Sequence, residues 1–409
     1  MEFIGHFRRL TSVQRNTFIA CFLGWSLDAF DFFILTFCLS AIATQFQAKV
    51  SVVAEAIFIT LAFRPVGAFL FGMMADRYGR RPTLMVDIIA YSVFELSSAF
   101  APSLKVFLIT RALFGIAMGG EWGVGAALTF ETLPAQGRGF FSGVLQEGYA
   151  VGYLMAALAY GTVFRFVGWR GMFVIGALPA LLVIYIRTKV DESPAWVQGR
   201  ASKTSESGPG KDILKYLGTF AFLVLLMFAF NSLSHGTQDL YPTFLQKDHK
   251  FAPQAVGFIA LVANMGALLG GVLFGTWSEK IGRRKAIMIA VLLSIPIVPL
   301  WAYSHTVPML ALGGFLMQFM VQGAWGVIPA HLNELSPPAV RGTFPGFAYQ
   351  LGNFFSSRTG VLQAKLAEQR YGGMFAPVLA WTLLLVASLV AIVAWSGGER
   401  RGADLSNTS

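Results

Sequence analysis

One run of the chain, NSLSHGTQDLYPT at 231–243, sets Asn231, His235, Asp239 and Thr243 four residues apart, with Ser234 and Gln238 beside them, inside an otherwise apolar stretch. At helical spacing these residues share one face, a polar stripe that hydrocarbon does not tolerate and a wet interior does. His235 and Asp239 stand one turn apart, so the carboxylate can accept from a protonated imidazole, and that imidazolium would attract an anion. The competing use of the stripe is structural, as hydrogen bonds tying one helix to the next. The same i, i+4 pair could begin a metal site, but the sequence offers no third and fourth ligand, so no metal is expected.

Further ionisable residues lie in apolar surroundings, where each is a functional candidate because an unpaired charge there is costly. GWSLDAFDFF carries Asp28 and Asp31 on adjacent turns, and RALFGIAMGGEWG carries Arg111 and Glu121. An anion in a low-dielectric site needs a fixed cation, and arginine's fork clamps a carboxylate with two parallel bonds. Arg64 and Arg358 can each be that clamp, although Arg358 has Asp239 and Glu147 as competing structural partners. Glu95, Gln146, Glu147, Gln318 and Gln322 are less informative, since lone polar residues serve equally as helix ties. Trp122 and Trp325 read as packing residues beside glycine. No phosphate-cradling G-x-x-x-x-G-K-[ST] or strand-borne G-x-G-x-x-G occurs, so no nucleotide cofactor is expected, and no paired nucleophile and base suggests an enzyme.

The elements that must carry these residues are membrane spans. Of 409 residues 55% are hydrophobic and 13% charged, too few charges for a soluble enzyme of this length. Apolar runs near the roughly 20 residues needed to cross a bilayer fall at 16–41, 51–75, 82–101, 104–130, 139–163, 169–187, 215–242, 253–276, 285–303, 306–330, 343–366 and 373–396. The first is read as a retained span and not a cleaved signal. Cys21 and Cys38 sit too far apart along it to bridge. The net charge of +10 is spread over loops, which argues for a bilayer and against nucleic acid. Most Lys and Arg lie in the termini and in loops after even-numbered spans, so both termini are expected to be cytoplasmic. The polar stretch 188–214 reads as a cytoplasmic linker between an N-terminal six-helix bundle (1–187) and a C-terminal six-helix bundle with a short tail (215–409).

The halves repeat each other. Gly72, Gly79, Arg80, Arg81, Trp122, Gly123, Glu131, Pro134, Arg138, Gly139 and Gly143 recur 203 positions on as Gly275, Gly282, Arg283, Arg284, Trp325, Gly326, Glu334, Pro337, Arg341, Gly342 and Gly346, while Asp76 and Arg77 become Glu279 and Lys280. A parallel duplication of six spans predicts two facing bundles with a site between them near the membrane midplane. The loops GMMADRYGRR (72–81) and GTWSEKIGRR (275–284), with ETLPAQGRG (131–139) and ELSPPAVRG (334–342), resemble the signature loops of the major facilitator superfamily over nearly the whole chain. That resemblance implies an all-α membrane protein of twelve transmembrane helices in two pseudo-symmetric six-helix bundles, working by alternating access without catalytic turnover. It also implies a gate at the cytoplasmic side made by Gly72, Asp76, Arg77 and Arg80 with Glu279 and Arg283.

The spacing of Asn231, Ser234, His235, Thr237, Gln238, Asp239 and Thr243 resembles the span 7 signature of lactate permeases and their relatives in the sialate:proton symporter family. That family's span 2 arginine and span 11 Gln-x-x-Asn pair are matched by Arg64 and by Gln350 with Asn353. The resemblance implies a proton symporter of small monocarboxylates such as lactate or pyruvate in a bacterial inner membrane. A sialic acid, an aromatic acid, another organic acid or a sugar is the alternative cargo. Substrate contacts are then expected from Arg64, Asn231, His235, Gln238, Gln350, Asn353 and Arg358. Proton coupling is expected from Asp28, Asp31, Arg111, Glu121, His235 and Asp239, with an acid of span 1 paired to Arg111 as in other proton-coupled facilitators. A monomer is expected.

Overall fold

The computed structural model describes residues 7–48, 50–202, 214–403 and 405, and among them every regular element is a helix. The spans are α1 (Ser12–Gln45), α2 (Val50–Tyr78), α3 (Arg80–Ala99), α4 (Leu104–Thr132), α5 (Arg138–Gln146, continued by Gly148–Thr162) and α6 (Phe164–Ile175 with Leu182–Lys189). The second set is α7 (Leu217–Gln238), α8 (Pro253–Ile281), α9 (Arg283–Ser294 with Val298–Ala302), α10 (Val307–Leu335), α11 (Phe344–Ser356 with Thr359–Arg370) and α12 (Ala376–Ser396). Eight of these are long and apolar enough to cross a membrane unbroken, and α6 qualifies as a pair bent by 45°. The other three have visible reasons for failing that test: α3 carries Arg80, Arg81, Asp87 and Glu95, while α5 and α11 are interrupted at Glu147 and at Ser357–Arg358. Part of the expected linker forms the short helix Pro194–Ser202, and positions 203–213 lie outside the described residues.

The duplication reaches into the packing. A Cβ on Gly67 would lie 1.6 Å from the Ile116 carbonyl oxygen, and one on Gly270 would lie 2.0 Å from that of Phe319, the same contact 203 residues apart. Lipid tails supply no hydrophobic force between helices, so close backbone approach through small residues is what holds α2 to α4 and α8 to α10. The first and last described segments pack on one end of the helices, the termini face: Gln14 donates to the Thr132 carbonyl, and Arg341 donates to that of Leu405. At this end the halves also meet backbone to backbone. A Cβ on Gly72 would come 2.7 Å from the Thr343 Cα, one on Gly123 2.6 Å from the Gly346 Cα, and one on Gly143 2.4 Å from the Gly271 oxygen. The structure is therefore closed at the face that carries the termini.

Candidate functional site

The closure is built from the repeated loop residues. Gly79 and Gly282 precede α3 and α9 with φ of 109° and 101°, conformations that residues with a Cβ rarely adopt, so each short turn can follow directly on a long helix. Asp76 accepts from the Gly342 N–H at 2.7 Å and the Thr343 hydroxyl at 2.6 Å, across the seam. Its repeat Glu279 accepts from the Gly139 N–H at 2.5 Å and the Gly137 N–H at 3.2 Å in the opposite direction. Both carboxylates meet backbone N–H groups at the start of a helix of the other half, where the helix dipole favours negative charge. Arg80 holds Glu131 through two bonds of 3.0 Å, and Arg283 holds Glu334 at 3.1 and 2.9 Å. Each of those glutamates then faces an arginine across the seam, Arg341 at 3.6 Å from Glu131 and Arg138 at 3.4 Å from Glu334. Arg77 does not join them. It is exposed, with its guanidinium 5.3 Å from the Tyr78 ring centre, because its position at the outer side of the last turn of α2 points away from the seam.

Two further acids complete this network, and the sequence repeat does not reveal them. Glu192 accepts from the backbone N–H groups of Arg80 and Arg81, and Glu399 from those of Arg283 and Arg284. They are equivalent in space but lie 207 positions apart and not 203, so a comparison at constant offset passes over them. Burial pushes the Glu192 carboxyl above its usual range even though three backbone N–H groups point at it.

Between this floor and the opposite face lies a polar centre. Arg64 is 2% exposed, and its Nε and Nη2 make no hydrogen bond among the described residues. It lies within electrostatic reach of Asp28, Glu121, Tyr149 and Tyr349. It sits next to Pro65, the only proline inside α2. Gln350 is 1% exposed with neither amide atom bonded. The indoles of Trp122 and Trp325 flank Tyr349 with ring centres at 4.8 and 5.7 Å. They do more than fill space beside glycine, since they donate to Gln146 at 3.3 Å and to Ser234 at 2.6 Å.

The α7 stripe runs up the other wall. His235 faces the Asp239 carboxylate through Nδ1 at 2.9 Å and the Asn353 amide oxygen through Nε2 at 2.9 Å. Two acceptor oxygens suit a doubly protonated imidazolium, and the Asn353 amide can turn to donate to a neutral ring. The helix breaks just after this point, with Asp239 as its C-cap, and the Asp239 side chain is 43% exposed. Gln238 donates to Gln318 at 2.9 Å, whereas Asn231 is spent on the Met227 carbonyl at 2.8 Å. Thr243 lies past the break, on the short helix Tyr241–Lys247. Arg358 is exposed at the interruption of α11 and forms no ion pair with Asp239 or Glu147 among the described residues.

In the first half the acids of α1 do not pair with Arg111. Its guanidinium bonds the Glu95 carboxylate of α3 and lies 3.8 Å from the Phe114 ring centre. Helical spacing placed Asp28, Asp31 and Arg111 inside but could not rank the three neighbouring acids, and α3 reaches Arg111 first. Asp28, Asp31, Asp87 and Glu121 are buried with neither carboxyl oxygen hydrogen-bonded among the described residues. Glycines make room for two of them: a Cβ on Gly24 would lie 2.5 Å from Glu121 Oε1, and one on Gly120 2.6 Å from Asp87 Oδ1. Asp87 falls inside the expected span 82–101, where no repeat or motif singles it out. No cluster of His, Cys, Asp and Glu that could hold a metal occurs among the described residues.

A carboxylic acid transporter protein homolog of Saccharomyces cerevisiae is 29% identical over 90% of this chain and 63% of its own length. This chain thus spans under two thirds of that relative. The sialic acid transporter NanX of Escherichia coli is 28% identical over 91% of this chain and 88% of its own. A solved proton:xylose symporter of the major facilitator superfamily has a TM-score of 0.78 at 18% identity, covering 97% of this chain and 98% of that one. The family described as sugar (and other) transporter matches residues 16–210 and 216–393. Those two segments take in both halves, the polar centre and the seam apart from Glu399, so the chain belongs to the sugar (and other) transporter family and is a multi-pass membrane transporter of the major facilitator fold.

Proposed function

We propose that the protein carries a small monocarboxylate, of the lactate or pyruvate kind, together with a proton by alternating access. The observation that carries this reading is Arg64, a guanidinium buried in the polar centre with no carboxylate bonded to it among the described residues. Arginine is rarely buried without an anion, and its fork matches a carboxylate. Tyr149 and Tyr349 stand within electrostatic reach of it, Gln350 brings an unbonded amide next to Tyr349, and Gln238 and Asn353 bring theirs on the α7 wall. Arg358, being exposed at the far end, acts as an electrostatic guide and not as the clamp. The named specificities of two relatives, a carboxylic acid and sialic acid, support an acidic cargo. The sialic acid relative keeps a larger organic acid as the second reading.

Moving an anion with a proton is electroneutral and avoids carrying a bare charge through the bilayer. His235 with Asp239 is the proton-binding pair on the α7 wall, and the buried proton-binding groups are Asp28 and Asp31 near the Arg111–Glu95 pair and Glu121 near Asp28 and Arg64. Asp76, Arg80, Glu279 and Arg283 lock the termini face, which we assign to the cytoplasm of a bacterial inner membrane, while substrate binds from the other. The boundaries at 187 and 215 then separate the two moving bundles. His235→Ala and Asp239→Asn, reconstituted in vesicles, should abolish the proton uptake that accompanies lactate addition. Uptake unchanged in both variants would overturn the α7 mechanism.

A further inference from the structure

Glu147 has no role in the proposal above, and its surroundings give it one. It is 7% exposed at the break of α5, between Gln146 and Gly148, one turn beyond Gly143. Its Oε1 is buried without a hydrogen-bond partner among the described residues. That oxygen is pressed against the other half: a Cβ on Gly271 would lie only 2.1 Å from it. Gly271 is also where three helices meet, since Cβ atoms on Gly143 of α5 and Gly326 of α10 would lie 2.4 and 2.1 Å from its carbonyl oxygen. The carboxyl group is thus wedged into a tight part of the seam, at the inner edge of the polar centre.

Some of the charged and titratable groups on the helices packed here are bonded elsewhere, and Asp28, Asp31 and His331 make no hydrogen bond among the described residues. These groups are Glu279 and Lys280 on α8, His331 and Glu334 on α10, Asp28 and Asp31 on α1, and Arg138 and Tyr149 on α5 itself. Glu279 is taken by Gly137 and Gly139, and Glu334 by Arg283 and Arg138. None makes an ion pair with Glu147 among the described residues. A carboxylate needs water or a cation at both oxygens, and the pocket of Oε1 holds no cation or hydrogen-bond partner among the described residues while the seam is shut, whereas a neutral carboxylic acid fits.

We propose that Glu147 carries a proton of the transport cycle and that its protonation licenses closure of the termini face. The seam shuts on the neutral acid. When the halves part there, water reaches the carboxyl group, which passes its proton to that water and stays as a hydrated carboxylate until it is protonated again. Closure is thereby tied to proton occupancy at the seam itself, apart from the pair His235–Asp239 on the other wall. The inference rests on proton coupling and is independent of which acid is carried.

The test reads conformation without substrate. Spin labels are placed at Lys189→Cys on the first half and Lys280→Cys on the second, both exposed at the termini face, while Cys21 and Cys38 are buried. In nanodiscs the label distance should lengthen as pH rises from about 5 to 9 in the wild-type background. It should stay at its low-pH value throughout in Glu147→Gln, and lengthen again in Glu147→Asp with a displaced midpoint. Wild-type distances that ignore pH, or a Glu147→Gln response equal to wild type, would overturn the inference. A folded Glu147→Gln protein should also exchange substrate across vesicles while losing accumulation driven by a pH gradient; loss of neither, or of exchange alone, counts against it. Failure of lactate in a substrate panel with the distance response intact would sink the cargo reading and leave Glu147 standing.

Discussion

Replacing Asp76 by Asn asks how much the seam depends on one carboxylate. In the wild type Oδ1 takes the Gly342 N–H at 2.7 Å, Oδ2 takes the Thr343 hydroxyl at 2.6 Å, and Arg80 Nη1 stands 3.2 Å away. An asparagine can keep its oxygen on Gly342, and Thr343 can rotate to accept from the new amide, so no donor need be orphaned. What is lost is charge assistance: bonds to a charged group contribute about 1.5–3 kcal/mol against about 0.5–1.5 for neutral ones. Arg80 keeps Glu131 through two bonds and loses little. With two such bonds the closed state should therefore weaken by about 2–3 kcal/mol, a shift of about 30- to 160-fold toward opening at the termini face. The Lys189–Lys280 label pair reads this directly as a larger long-distance population at fixed pH. Glu279→Gln should produce a shift of the same sign, because its N–H donors Gly137, Gly139 and Phe140 are the counterpart contacts in the opposite direction. A population unchanged in both variants, or one moved toward closure, would refute the idea that these carboxylates lock the seam.

Arg64→Lys should raise the substrate KM by about tenfold or more, since an ammonium cannot give the two parallel bonds of a guanidinium, with radiolabelled uptake as the assay. Wild-type affinity in that variant would move the clamp to Arg358. Arg111→Met should lower thermal stability by about 3–5 kcal/mol, because it strands the fully buried Glu95 carboxylate, and adding Glu95→Gln should recover most of the loss. Calorimetry in detergent checks both variants.

Much of this architecture could be read from residue spacing. Gly79, Arg80 and Glu131 recur with their partners 203 positions on because a left-handed turn, a buried fork and a buried carboxylate tolerate few substitutes. The α7 stripe was legible because a polar face inside an apolar helix has few other uses, and His235, Asp239 and Asn353 do meet. What spacing could not supply is the choice among neighbours in space. Helical period places Arg111 inside but does not say that Glu95 of α3 outcompetes Asp28 and Asp31 of α1. It puts Arg77 in a charged loop without showing that it faces outward. Glu192 and Glu399 cap equivalent helices from segments whose lengths differ by four residues, so their kinship appears only in three dimensions. Glu147 reads as one polar residue among several until Gly271 is found against it.

The central claim is that an organic acid and a proton cross together, and the direct measurement is lactate accumulation in proteoliposomes under an imposed pH gradient. Uptake should rise above equilibration when the outside is acidic, collapse on adding a protonophore, and be accompanied by alkalinisation of the outer medium. Accumulation that ignores the gradient, or lactate entry with no proton movement, would contradict it.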